Sequence, residues 1–342
     1  RRLAYKAFRH VSLYDAAVAN YFSQQCSNRL PSDLSLTYHK VYDLRYGENP
    51  HQTGALYSLD AGIGGIPGAT LRHGRELSFN NLLDADAAWR VVNDFEQQTV
   101  VVIKHTNPCG LASNRHMAEA YRRAYQGDTV SAYGGIVGFN RVVDLETTEA
   151  MKGVFYEVVV APGYEPEALD MLKKRRNLRI LEMVSSRDHV NDFDLRPVNG
   201  GLLAQTHDTI EDDPGLWNTV TDREPSLLEM ADLIFAWKAV RHVKSNAIVM
   251  VKESSLLGMG AGQPNRVTSV DLALRGSLGK SKEVVLASDA FFPFPDNVEL
   301  AAEGGITAIV QPGGSIRDQE AIDAANRHNI AMVFTGRRHF RH

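Results

Sequence analysis

In the stretch VVIKHTNPCG (101–110), Lys104 and His105 stand side by side at the end of a β-branched apolar run. A histidine offers a base near neutral pH, and a lysine ammonium offers a cation for negative charge that develops during a reaction. Neighbouring strand residues point to opposite faces, so both can serve one ligand only where the strand ends. Asn107-Pro108 and Cys109-Gly110 predict that ending. A sheet edge meeting solvent would also account for the pair, and the pair alone does not separate the two readings.

Other segments carry chemistry of their own. RYGENPHQ (45–52) gathers Arg45, Tyr46, Asn49 and His51 where helix or strand patterning is weak; it suits a phosphate, a ring or a plain surface turn. GMGAGQPNR (258–266) has glycines at 258, 260 and 262, which fails the spacing of a dinucleotide loop. It reads as a glycine turn presenting Gln263 and Arg266. SDAFFPFPDN (288–297) is a hydrophobic plug at a sheet end or a stacking platform, and the basic terminus TGRRHFRH is a solvated tail or a phosphate clamp. Pro108-Cys109 invites a zinc-deaminase reading, which needs a second cysteine three residues on and a glutamate two after the histidine. Those positions hold Ala112 and Asn107, so catalytic zinc is rejected.

The elements that would position these residues alternate. Helical patterns at 77–95, 117–126, 166–176, 227–246, 297–305 and 318–329 interleave with apolar strands at 100–105, 134–140, 156–164, 247–254, 283–294, 306–315 and 330–336. That rhythm predicts an α/β sheet covered on both faces. It runs twice, dividing near PVNGGLLAQ (197–205). In such sheets ligands gather at strand ends, which singles out the loops 104–110, 161–164, 258–266 and 289–297. Residues 1–24 predict an amphipathic helix with enough apolar surface to need a partner, followed by linker-like SNRLPSDLSLT.

The 342 residues are 44% hydrophobic and 23% charged, with net charge −4, the profile of a globular enzyme rather than a nucleic-acid or membrane-surface binder. Two cysteines, Cys26 and Cys109, exclude a disulfide framework. No apolar run nears the roughly 20 residues needed to span a bilayer, and the first residues do not read as a signal peptide. A soluble cytoplasmic protein is expected, and the absence of an initiator methionine points to a fragment.

RYGENPHQ, IKHTNPCG, SAYGG, APGYEPEAL, VKSNAIV, GMGAGQPNR, SDAFFPFPDN and the basic terminus, in this order, make the chain resemble the AICAR transformylase/IMP cyclohydrolase family. The resemblance covers residues 41–342. It implies two tandem cytidine-deaminase-like three-layer αβα subdomains with mixed sheets, at 41–200 and 201–342. Residues 1–27 would be the last helix of a truncated cyclohydrolase domain and 28–40 a linker, with no cyclohydrolase activity. The implied activity is formyl transfer from 10-formyltetrahydrofolate to the 5-amino group of AICAR, in a homodimer with shared active sites. By the same resemblance Lys104, His105 and Asn246 are catalytic. Arg45, Tyr46, Ser131, Gly134, Glu157, Arg266, Phe291 and Arg338 would bind the nucleotide, and Asp296 and Asn297 would lie near the folate. Glu157 stands where relatives commonly carry Asp. A monovalent cation, potassium, is implied near Ser245, Asp289 and His342. Two alternatives belong to other classes: a nucleotide-binding dimerisation module without catalysis, and, remotely, a zinc deaminase.

Overall fold

A computed structural model of the chain describes residues 1–25, 30–59, 64–184, 193–279 and 283–342; Cys26 and the first residues of the linker lie outside them. Helix α1 (Arg2–Gln25) forms as expected, and its apolar residues remain exposed: Leu3, Phe8, Tyr14 and Phe22 each show more than half their surface. Strands β1 (His39–Leu44) and β2 (Gly54–Ser58) pair antiparallel around RYGENPHQ, and hydrogen bonds between Asn49 and Gln52 and from Gly47 N–H to Gln52 O fix that loop.

The first half then runs β3 (Thr70–His73), α2 (Phe79–Asn93), β4 (Thr99–Lys104), β5 (Asn107–Ser113), α3 (Met117–Gly127), β6 (Gly135–Phe139), α4 (Leu145–Ala150), β7 (Tyr156–Ala161), α5 (Pro166–Lys173) and β8 (Arg179–Glu182). A second hairpin, β9 (Phe193–Val198) and β10 (Gly201–Thr206), turns within the PVNGGLLAQ stretch. The second half runs β11 (Asn218–Thr219), α6 (Leu227–Val240), β12 (Ile248–Lys252), β13 (Ser255–Gly260), α7 (Arg266–Ser277), β14 (Val284–Ser288), α8 (Asp296–Glu303), β15 (Ile306–Gln311), α9 (Asp318–Arg327) and β16 (Ala331–Phe334).

These build one twelve-stranded mixed sheet in the order β11-β16-β15-β14-β12-β13-β5-β4-β6-β7-β8-β3. The order is a pseudo-twofold: each half contributes a central antiparallel hairpin, three parallel strands and an antiparallel edge strand. The halves meet where β5 and β13 touch at Ala112 and Ser255. Strand alternation divides the core. Val101, Ile103, Val249 and Val251 face α2 and α6 in a single layer that runs across both halves. Val100 and Val102 face α3 and α5, while Ile248 and Met250 face α7, α8 and α9. The result is the mixed α/β fold with helices on both faces that the alternation predicted.

The repeat reaches single residues. One 148-residue offset, the separation of the bonded pair Asp94 and His242, also relates Ser78 to Ser226, Asp84 to Asp232, Lys104 to Lys252 and Gly110 to Gly258. Ser78 and Ser226 both start their helices through a capping box, closed by Asn81 in one half and Glu229 in the other. Glu229 also takes the Arg223 fork, at 2.9 Å on each oxygen. Burial would raise this carboxyl, but Arg223 and Ser226 outweigh it and hold it at about 2, below the ordinary 4.5. A depressed folded value means stability that is present above pH 4.5 and lost as pH falls towards 2. Glu229→Gln should therefore flatten the loss of thermal stability across that window; melting curves with the same slope as the unaltered chain would contradict this.

Candidate active site

Lys104 is the last residue of β4, as the sequence predicted, but the chain does not stop at Asn-Pro-Cys-Gly. That expectation is corrected: the turn is His105-Thr106, and Asn107 to Ser113 form the return strand β5. Both turn residues have positive φ, 51° and 63°, the conformation that two-residue hairpin turns require. Pro108 is tolerated because it pairs with Ile103 one step beyond the turn-closing pair Lys104–Asn107. In an antiparallel ladder such a position needs no N–H towards its partner. Likewise, Gly258 to Gly260, the start of the stretch read as a glycine turn, belong to strand β13, and the matching turn Glu253-Ser254 has φ values of 49° and 53°.

This turn exposes His105, leaves Lys104 half-buried and drives Lys104 Nζ to donate to Tyr133 O at 2.7 Å. Gly134 follows with φ 70°; a Cβ there would come within 3.3 Å of Nζ, so the glycine leaves room for the ammonium. Ser131 is fixed by Asp128, which accepts from its N–H and hydroxyl. Gly134 N–H donates to Phe155 O at 2.8 Å, and the Phe155 ring lines a cleft of about 310 Å³ together with Arg45, Tyr46, Arg75, Asn81, Glu157 and Arg179. Arg45 lies over the Tyr46 ring and donates to its hydroxyl at 2.8 Å. Asn81 donates to Glu157 at 2.8 Å.

On the other side of the seam Asn246 precedes β12. Its Nδ2 donates to Gln263 O at 2.7 Å, and its Oδ1 accepts from Arg266 Nη2 at 2.6 Å. Ser245, Asn246, Gln263, Phe340 and His342 line a second cleft, of about 410 Å³. Asn107 ties the two sides together: its Nδ2 donates to His105 O at 3.0 Å and its Oδ1 accepts from Lys244 N–H at 3.2 Å.

Several expected residues take other places. Arg266 is 7% exposed, and its guanidinium is committed to Asp289, Ser288 and Asn246. Both oxygens of buried Asp289 are engaged, one by Arg266 and one by Ser245 Oγ. The set Ser245, Asp289 and His342 therefore does not fit a cation as it stands, because a guanidinium already supplies the positive charge. Asp296 accepts from Asn297 at 2.7 Å, and Asn297 keeps a buried Oδ1 without a partner. Phe291 is half-buried on the loop before α8, and Arg338 packs over Phe340. Burial, with Asp128 nearby, pushes the Cys109 thiol up to about 12, so it stays protonated at neutral pH.

The family model described as AICARFT/IMPCHase bienzyme matches residues 1–276. Among similar proteins, the bifunctional purine biosynthesis protein purH of Dictyostelium discoideum is 48% identical across 100% of this chain and 68% of its own length. The PurH proteins of Thermoanaerobacter sp. (strain X514) and Enterococcus faecalis are each 48% identical, over 99% and 100% of this chain. The chain belongs to the AICARFT/IMPCHase bienzyme family. It spans about two thirds of the length of these relatives. Among the described residues no helix is long and apolar enough to cross a membrane.

Residues that sequence reasoning passed over also stand beside the site. Arg75 and Arg179 join Arg45 around the first cleft, from segments more than a hundred residues apart at their extremes. Asn107 was visible only as a turn residue, and Asp84 on α2 had no signal beyond an acid on a helix. Asp84 Oδ1 accepts Thr106 N–H at 2.7 Å. Burial raises its carboxyl, while that N–H and the charges of His105 and Lys104 act the other way.

Proposed function

We propose that this chain transfers a formyl group from 10-formyltetrahydrofolate to the 5-amino group of AICAR, giving FAICAR, as the transformylase part of its family, and that it does so as a homodimer with shared active sites. The observation that carries this reading is the Asn107 bridge, which holds the Lys104–His105 turn against the segment bearing Asn246.

The chemistry needs a base, a donor for an oxyanion and a fixed carbonyl, because an aromatic amine conjugated to a carboxamide is a poor nucleophile. As the amine nitrogen bonds to the formyl carbon, exposed His105 takes the amine proton. The carbonyl oxygen becomes an oxyanion. Lys104 uses one of three N–H donors on Tyr133 O, leaving two for that oxyanion or for the folate nitrogen that leaves. Asn246 spends one amide hydrogen on Gln263 O and has one left for the formyl oxygen, while Arg266 fixes which end of the amide faces outward. When the intermediate collapses, the C–N bond to folate breaks and the folate nitrogen takes a proton. Arg45, with Arg75 and Arg179 in the same cleft, suits the nucleotide phosphate, since guanidinium forks bind phosphate through paired hydrogen bonds.

The test is an assay with AICAR and 10-formyltetrahydrofolate combined with sedimentation: FAICAR should form, and activity should follow the dimer. A dimer that binds AICAR without turnover would replace this reading with that of a binding module.

A further inference from the structure

Thr106 is β-branched and left-handed, and His105 before it is left-handed too. A turn of this kind usually carries glycine or asparagine, because other side chains collide with their own backbone there. Something outside the hairpin must hold it. Asp84, one turn into α2, does so by accepting Thr106 N–H at 2.7 Å.

The second half repeats the device with no catalytic residue beside it. Asp232 on α6 accepts Glu253 N–H at 2.9 Å and Ser254 N–H at 2.8 Å, holding a turn whose residues are again left-handed and not glycine. The helix aspartate is therefore part of how this fold closes its central hairpins. Only in the first half does the clamped turn present an exposed imidazole.

We infer that Asp84 is a positioning residue for formyl transfer, fixing the direction of His105 through the Thr106 amide, with Asp232 as its counterpart free of any catalytic task. The inference rests on the formyl-transfer reading for its consequence in rate, and on the hydrogen bond alone for its geometry. Because the contact uses a carboxyl oxygen as an acceptor, asparagine can replace it, and alanine cannot.

The experiment compares Asp84→Ala, Asp84→Asn, Asp232→Ala and the unaltered chain in turnover, thermal stability and amide exchange at Thr106. Asp84→Ala and Asp232→Ala should lose similar stability. Only Asp84→Ala should lose kcat, by roughly a hundredfold, the scale of a displaced catalytic group. KM for AICAR should hold, and Asp84→Asn should recover most of the rate. Equal kcat in Asp84→Ala and Asp232→Ala would overturn the inference. Absent turnover in the unaltered chain would sink the formyl-transfer reading instead. The Thr106 amide then decides the anchoring: it should be protected in the unaltered chain and in Asp84→Asn but not in Asp84→Ala, and equal protection in all three would refute it.

Discussion

His105→Asn should lower kcat for formyl transfer by about a hundred- to ten-thousandfold, the usual contribution of a positioned base, with KM for both substrates little changed. Asparagine is the informative replacement. It is comfortable at φ 51°, so the turn keeps its shape and Asp84 keeps its hold on Thr106. Alanine would mix a lost base with a strained turn. The His105 side chain is exposed, so packing is not disturbed, and the Lys104 bond to Tyr133 O is untouched. A loss of rate without a loss of melting temperature therefore reports the imidazole alone. Turnover within tenfold of the unaltered chain would remove His105 from the role of base.

How much of this could be read in the chain depends on what each residue was doing. The alternation of helices and apolar strands was legible, because burial between two helical layers demands continuous apolar strands such as Val100–Ile103 and Ile248–Val251. The helices read at 77–95 and 227–246 were legible by their periodicity, while the capping boxes that start them at Ser78 and Ser226 were not singled out. Both return strands were misread, at matching positions in the two halves. Gly110 and Gly258 look like turn residues, but they serve close packing: a Cβ would lie 1.9 Å from Ala124 O at the first and 2.0 Å from Ala273 O at the second. The actual turns contain no glycine because an aspartate from a distant helix holds them. The hairpin β9–β10 was missed because it is largely exposed and its second strand, GLLAQT, lacks apolar alternation. At the site, the Lys104–His105 pair was visible as a strand end. Its bridge to Lys244 was not, since that contact joins residues 137 apart. The partner of Arg266 at the start of α7 was not legible either, since Asp289 lies 23 residues later, just past the end of β14.

That pairing supports a second large effect. Arg266 and Asp289 form a buried ion pair, with side chains 6% and 0% exposed. Removing one partner leaves the other charge buried and uncompensated, which costs about 3–5 kcal/mol, so Asp289→Leu and Arg266→Met should each unfold far more easily. The double variant should recover much of that stability, because two apolar side chains of similar bulk can replace a buried pair at little net cost. Activity should not return with it. Arg266 Nη2 orients the Asn246 amide, and Asp289 holds Ser245 Oγ at 2.5 Å on the residue before it. Without both, Asn246 keeps only its bonds to Gln263 and Ser269 and loses the donor that fixes its Oδ1. The expected result is a stable protein with strongly reduced kcat, measured by melting and by FAICAR formation on the same samples. Recovery of stability and turnover together would mean that Asn246 is positioned without Arg266. Failure of the double variant to recover stability would mean instead that the polar bonds to Ser288 and Ser245, and not the opposed charges, are what the buried cluster requires.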